Sequence, residues 1–319
     1  MIITFYPALL SAETFYVAPS GDDRNPGTLE EPFAGLSFAA GTLDPGSVVI
    51  AQAGTYLGPV QIDVEGTKER PIVLRAAEGA SVVIDGTGTL LGTDLVSIVG
   101  DYIVFEGFEV TNAQHVGISL WGTTGVVVRH NTVHGGQDSG IWVGFDQRLV
   151  SRQNVIEENI VYENAMQNSR RTMETGWPSG IEISGSDDAV VRGNRIFRNY
   201  GEAISVLSSK NTWVVGNLVY DSYSVNIYLD NAQNVTVDNN TSGTSNDSEF
   251  YRNDRPAFGA VIADKEAPFL LPSRNNKIIN NLFIGVRGVV VDPVLGTDEG
   301  IASHVISPNQ VRRGVIQLE

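Results

Sequence analysis

Trp142, Glu182 and Tyr228 are the residues of this chain whose types and places best suit work on a sugar. Each stands third in a short, largely apolar tetrad: Gly140-Ile-Trp-Val, Gly180-Ile-Glu-Ile and Asn226-Ile-Tyr-Leu. An aromatic face offers a sugar ring a flat apolar platform, and a carboxyl beside it can exchange protons with the bound ring. Glu182, Tyr228, His134 and Arg255 are therefore the candidate catalytic set. They supply a carboxyl acid or base, a phenol acid, an imidazole base and a cation to neutralise charge. Trp142, Trp177, Arg170, Arg171 and Asp230 are the candidate substrate-binding residues, since a guanidinium fork matches a carboxylate through two parallel hydrogen bonds. Asp230 with Asp264 is a candidate metal site whose oxygen ligands suit calcium, the one cofactor expected.

These side chains need a scaffold, and an internal repeat supplies one. The segments Val128-Arg-His-Asn131, Ile156-Glu-Glu-Asn159, Val191-Arg-Gly-Asn194, Val214-Val-Gly-Asn217, Thr236-Val-Asp-Asn239 and Ile278-Ile-Asn-Asn281 each end on Asn. Asn194, Asn217 and Asn239 lie 23 and 22 residues apart, and loop insertions into a coil of about 22 residues account for the longer steps. Stacked coils would join these amides into a ladder. Between the Asn segments recur strands such as Gly117-Ile-Ser-Leu, Ala203-Ile-Ser-Val, Ala260-Val-Ile-Ala and Gly288-Val-Val-Val. Period-2 alternation turns Ile181, Ile183, Ile204, Val206, Ile227 and Leu229 inward. It leaves Ser119, Trp142, Glu182, Ser205, Tyr228 and Ile262 in one outward row, and Trp121, Gly144, Ser184, Leu207, Asp230, Asp264 and Asp292 in the next.

The expected fold is all-β: a single-stranded right-handed parallel β-helix, a solenoid, with a short N-terminal capping helix. Phe33, Leu36, Ala40 and Leu43 follow Pro32 at helical spacing and supply that cap. Residues 13–319 read as one domain, and residues 301–318 as a less regular cover for the last coil. Residues 1–12 read as a leader or weak signal-like segment, which makes a secreted or extracellular protein the expectation.

Insertions at 144–154, 163–179, 242–259 and 264–276 interrupt the coils, and long loops on a regular scaffold are where function gathers. Those at 163–179 and 242–259 should wall a groove centred on Glu182. Arg170 and Arg171 either face that groove or pair with Glu163 and Glu174. His115 and His134 fall near it, and His130 falls beside the Asn ladder.

Charge narrows the partners. The 319 residues carry 21 Lys and Arg against 37 Asp and Glu, a net charge of −16, which repels a phosphate backbone and argues against nucleic acid. An acidic glycan would need local Arg or a bound cation to reverse that field. There is no cysteine, so thiol chemistry and disulfides are excluded, and no apolar run is long enough to span a membrane.

The opening Phe15-Tyr-Val-Ala-Pro-Ser-Gly-Asp-Asp-Arg-Asn-Pro-Gly-Thr28, with Glu31-Pro-Phe33, Pro45-Gly46, Ala53-Gly-Thr-Tyr56 and Pro71-Ile-Val-Leu-Arg-Ala, resembles bacterial parallel β-helix proteins akin to the family 9 pectate lyases. The later coils, with Arg252-Asn-Asp-Arg-Pro256, resemble secreted right-handed β-helix proteins more broadly. The resemblance implies a polysaccharide lyase with calcium on clustered Asp and a Lys as base. Lys210, the only Lys between Gly117 and Asp230, falls in a turn, so no catalytic residue is carried over.

The expected function is a polysaccharide-acting enzyme. A lyase or uronate epimerase cleaving or inverting an extended glycan along one sheet comes first. A glycoside hydrolase pairing Glu182 with Asp230, and a non-catalytic glycan-binding or surface protein, are the alternatives. In each case the partner is a polysaccharide or oligosaccharide.

Overall fold

A computed structural model describes residues 12–145, 150–264, 272–292 and 301–317. The leader residues 1–11, Lys265 and most of the loop that carries it lie outside the described residues. Short strands repeat in threes along the chain and stack into parallel sheets of ten, nine and ten strands, a right-handed parallel β-helix. Each strand pairs with its counterparts one coil away, as Ile118, Ile141, Ile181, Ile204 and Ile227 do in turn. These residues are fully buried, as are Ile183, Val206 and Leu229, so the apolar column runs where alternation placed it. Burying such side chains supplies about 1.5–3 kcal/mol each before entropy is subtracted.

Glycine opens the tetrads because the coils approach closely there. A Cβ on Gly140 would lie 2.7 Å from the Gly180 carbonyl oxygen and 2.7 Å from a Val161 methyl. At the N-terminal end, the helix Leu36–Ala40 caps the column, burying Leu36, Ala39 and Ala40 beside Phe33 and Leu43. At the other end residues 301–317 are more regular than expected: Gln310–Arg312 pairs with Leu282–Ile284 as the last strand of its sheet.

The ladder runs through Asn131, Asn159, Asn194, Asn217, Asn240, Asn281 and Asn309. Asn217 Oδ1 accepts the backbone N–H of Asn194 at 2.9 Å and its Nδ2–H at 3.0 Å. Asn217 Nδ2 in turn donates to Val191 O and Asn240 Oδ1, each at 2.9 Å. Asn240, not Asn239, is the rung. The residue before each rung from Asn131 to Asn281 adopts a left-handed conformation, with φ of 55° at His130 and Glu158 and 53° at Asn239. Asn tolerates that region well, so the doublet Asn239-Asn240 fills both roles and the sequence alone cannot phase it.

A second register correction falls one coil later. Tyr228 pairs with Val261 and Leu229 with Ile262, so Ile262 is a core residue and Val261 takes the outward place. Asp230 accordingly faces Ala263, and Asp264 stands one residue beyond the row expected to hold it. Ala260-Val-Ile-Ala is apolar throughout and its alternation carries no phase. Gly259 sets the register, since a Cβ there would lie 2.3 Å from the Arg287 carbonyl oxygen.

Replacing Asn217 by Ala strands two buried donors on Asn194 and removes the donor to Val191 O and Asn240 Oδ1, and should lower stability by about 1–3 kcal/mol in urea unfolding. Asn240→Ala should cost a similar amount and Asn239→Ala clearly less. Equal losses at 239 and 240 would contradict the ladder described.

Candidate functional site

Residues Ser119, Trp142, Glu182, Ser205 and Tyr228 do form one row across the nine-stranded sheet, each paired with the next. Their surroundings differ. Trp121 and Trp142 pack at 4.2 Å between ring centroids, tilted by 45°, and form an aromatic step at one end. Glu182 is half-buried beside them: Trp142 Nε1 donates to its Oε1 at 3.2 Å and Ser139 Oγ to its Oε2 at 2.9 Å. Ser205 is fully buried, its hydroxyl 2.6 Å from that of Ser179.

Three turns that lead into this sheet deliver charged groups to the same spot. Asp94 precedes the strand Val96–Ile98, His115 precedes Ile118–Trp121, and Asp138 precedes Ile141–Gly144. His115 Nδ1 is 2.6 Å from Asp94 Oδ1, and its Nε2 is 4.0 Å from Asp138 Oδ2. Asp94 Oδ2 also accepts from Trp121 Nε1 at 3.0 Å. Asp138 is held by Gln167 Nε2 at 2.8 Å, from the first long insertion. Asp94 and Asp138 were not singled out from sequence. The available signal was that each, like His115, lies two or three residues ahead of a strand's first core residue.

The electrostatics follow from this packing. Burial, helped by repulsion from Asp138 and only partly opposed by the Ser139 and Trp142 hydrogen bonds, pushes the Glu182 carboxyl from 4.5 up to about 7. The Asp94 hydrogen bond raises His115 above its usual 6.5 against a smaller burial effect. Burial opposes the charge on Asp94, yet hydrogen bonds from His115, Ser119 and Trp121 outweigh it and hold that carboxyl below its ordinary value. A carboxyl near neutrality beside an Asp-oriented imidazole is equipped to give and take protons at physiological pH.

The other candidates lie elsewhere. His134 is on a different sheet: its strand Thr132–His134 directly follows the ladder, and its Nε2 is 3.1 Å from Glu109 Oε1. It starts an aromatic stack, with Tyr162 at 4.8 Å, then Phe197 and Tyr220 at 5.1 Å steps. All four stand three residues after a ladder Asn, a spacing that assigns them to that sheet. Tyr228 keeps its outward register but is buried against Val225, Val261 and Ala263, and its hydroxyl donates to Asp230 Oδ2 at 3.1 Å. Burial foremost, and then the Asp230 charge, raise its pKa. Asp230 therefore partners Tyr228, and the carboxylate that acts on Glu182 is Asp138 instead. Asp264 is buried and accepts from the Ser273 backbone N–H at 2.5 Å. Among the described residues no three His, Asp or Glu side chains converge to hold a metal.

The two long insertions meet each other rather than walling Glu182 from both sides. Arg171 binds the Glu249 carbonyl at 2.8 Å and its carboxylate at 3.6 Å, while Arg198 joins Glu163 and Asp247. Arg170 is exposed. Trp177 donates to Met173 O at 3.0 Å and lies under the Arg252 guanidinium, 4.2 Å from its ring centroid. Arg255 is exposed on the second insertion, whose strand lies three strands away from that of Glu182.

With this geometry in hand, comparison with known proteins is informative. The family described as Pel9A-like, right handed beta helix region matches residues 15–225. The chain belongs to that family. A general right handed beta helix region also matches residues 169–298. Pectate lyase PEL9 of Emericella nidulans is 26% identical over 249 residues, which cover 73% of this chain and 57% of the relative. The chain thus spans less than two thirds of that relative's length. Among solved structures, pectate lyase Pel9A superposes with a TM-score of 0.64 at 16% identity, covering 95% of this chain and 76% of the other. An alginate lyase from Paenibacillus superposes with a TM-score of 0.72 at 17% identity, covering 96% and 99%. At these identities the two superpositions establish the fold. Among the described residues no helix is long and apolar enough to cross a membrane.

The Trp142–Glu182 hydrogen bond gives a direct readout of the raised pKa. Tryptophan fluorescence should change with a midpoint near pH 7, and Glu182→Gln should abolish that transition. Because the folded-state pKa lies above 4.5, this carboxyl's contribution to stability is complete below that value and lost as pH rises through about 7. The wild type should therefore lose stability relative to Glu182→Gln over that window. A midpoint near 4.5 would place the carboxyl in open water.

Proposed function

We propose that this chain is a polysaccharide-acting enzyme, secreted or extracellular, whose reaction centre is Glu182 with His115 and Asp94. The observation that carries the reading is a carboxyl held near pKa 7 on a rigid sheet, bonded to a tryptophan that can seat a sugar ring. The pectate lyase relative supports a polyuronate substrate and an eliminative reaction. In that reaction a base removes the proton α to the uronate carboxylate, the C4–O bond breaks, and an acid protonates the departing oxygen. Ionised Glu182 serves as the base, and protonated His115, oriented by Asp94, as the acid. Re-protonation of the same carbon from the opposite face, without C–O cleavage, would make the reaction an epimerisation.

One observation favours a second reading, hydrolysis. Asp138 acts on Glu182 as a neighbouring carboxylate, and a protonated acid beside an ionised base is the pairing that glycoside hydrolysis uses. The two readings require opposite states of Glu182. As a lyase base it must be ionised, so turnover should rise as pH increases through about 7. As a hydrolase acid it must be protonated, so turnover should fall over the same range.

Incubation with acidic and neutral glycans, following both ultraviolet absorbance of an unsaturated product and new reducing ends, separates them. Absorbance with new ends is expected; ends alone would favour hydrolysis. Glu182→Gln should leave the thermal melt near wild type and lower kcat by about 10²-fold or more. Trp142→Ala should act mainly through KM. Full activity in both variants would move the reaction centre elsewhere.

A further inference from the structure

A cluster of arginines lies beyond the Glu182 site. Arg252, Arg255 and Arg287 line one cavity of about 510 Å³ with Ser224, Pro256 and Phe258. Arg252 and Arg255 exchange backbone hydrogen bonds at 2.9 and 3.2 Å across Asn253 and Asp254, which have φ of 53° and 59°. Two left-handed central residues make a tight turn that fixes the spacing of the two arginines. Arg252 lies over the Trp177 ring at 4.2 Å and Arg287 over the Phe258 ring at 5.3 Å. Stacking fixes each guanidinium plane while leaving N–H edges free to donate. Among the described residues none of the three has a carboxylate partner, whereas Arg171 and Arg198, which bind the same insertion, both do. Three clustered guanidiniums, two of them stacked on rings and none paired to a carboxylate among the described residues, make a local patch of positive charge in a chain of net charge −16.

The cavity also lies on the same sheet as Glu182. Ser224, Phe258 and Arg287 stand at the leading ends of the last three strands of the Glu182 sheet. The strand Phe258–Ala263 is three strands from Ser179–Ser184, roughly 14 Å away. Trp177, directly before the Glu182 strand, bridges the interval by carrying Arg252 on its face.

We infer that Arg252, Arg255 and Arg287 form a subsite for the carboxylate of an acidic sugar, a few rings along the same chain from the one at Glu182. This rests on the polysaccharide-acting reading above and adds to it a second place, away from the reaction centre, at which an acidic glycan is held. The Arg pocket would offset part of the repulsion between the polymer's carboxylates and this acidic chain.

The test is calorimetric binding of oligogalacturonates and oligomannuronates to the full chain, with methyl-esterified oligogalacturonate as the uncharged control. Wild type should bind at least one acidic series, bind the ester at least tenfold more weakly, and lose affinity as salt rises. Arg255→Ala together with Arg287→Gln should weaken acidic binding about tenfold or more, with an unchanged melt. Arg255→Ala alone, which disturbs no ring contact, should show part of that loss. Binding is read without turnover, so a failed reaction centre and a failed subsite give different results. Equal affinity for ester and acid, unaltered binding in the double variant, or no acidic oligomer bound at all would each overturn the inference.

Discussion

Parallel register between neighbouring coils is the constraint from which the rest of this molecule follows. Strand side chains alternate with period two, so a slip of one residue turns a coil's core face to solvent. Stacking of Ile118, Ile141, Ile181, Ile204 and Ile227 fixes that phase over the middle coils. The Asn ladder fixes it again at the corner between two sheets, where each amide is bonded to both neighbours. Glycine fixes it a third time at Gly140 and Gly259, where a Cβ would collide with the next coil. Mutually supporting local choices of this kind give one structure a clear energy advantage over slipped alternatives.

A scaffold held so tightly can maintain groups that water would otherwise relax. Glu182 sits under Trp142 because residues paired across parallel strands have no freedom to separate. The carboxyl then carries a desolvation cost, expressed as a pKa near 7 rather than as unfolding. Asp94, His115 and Asp138 come from three successive turns, yet the coil spacing brings them into one charged line. Such a line is a property of the stack: no single coil contains even two of its members.

Charge is distributed with similar economy. The chain's net charge is −16, and Arg171 of the first long insertion and Arg198 of the coil tie the insertions together through Glu163, Asp247 and Glu249. Arg252 and Arg255 of the second insertion, with Arg287 of the last strand of the Glu182 sheet, line a single cavity, two of the three braced on aromatic rings. The insertions therefore do two jobs: Arg171 ties them to each other, while Arg252 and Arg255 line the cavity.

Sequence alone determined the solenoid, its apolar column, the ladder through Asn217, the capping helix and the row from Ser119 to Tyr228. Each depends on a short period that residue type reports directly. It also brought Glu182 and Trp142 together, because adjacent coils inherit their pairing from that period. Phase was lost where residue type is silent: at the Asn239-Asn240 doublet and in the uniformly apolar Ala260-Val-Ile-Ala, which displaced Asp264 from its expected row. His134 could have been assigned to its sheet by its distance from Asn131, whereas the partners of Arg171, Trp177 and Arg255 lie on insertions that follow no repeat. Only the tertiary structure joined Asp94, His115 and Asp138 to Glu182, since turn residues have no periodic signature and their approach depends on coil stacking. The raised pKa of Glu182 was equally beyond the sequence, because desolvation is a property of the neighbours that folding supplies.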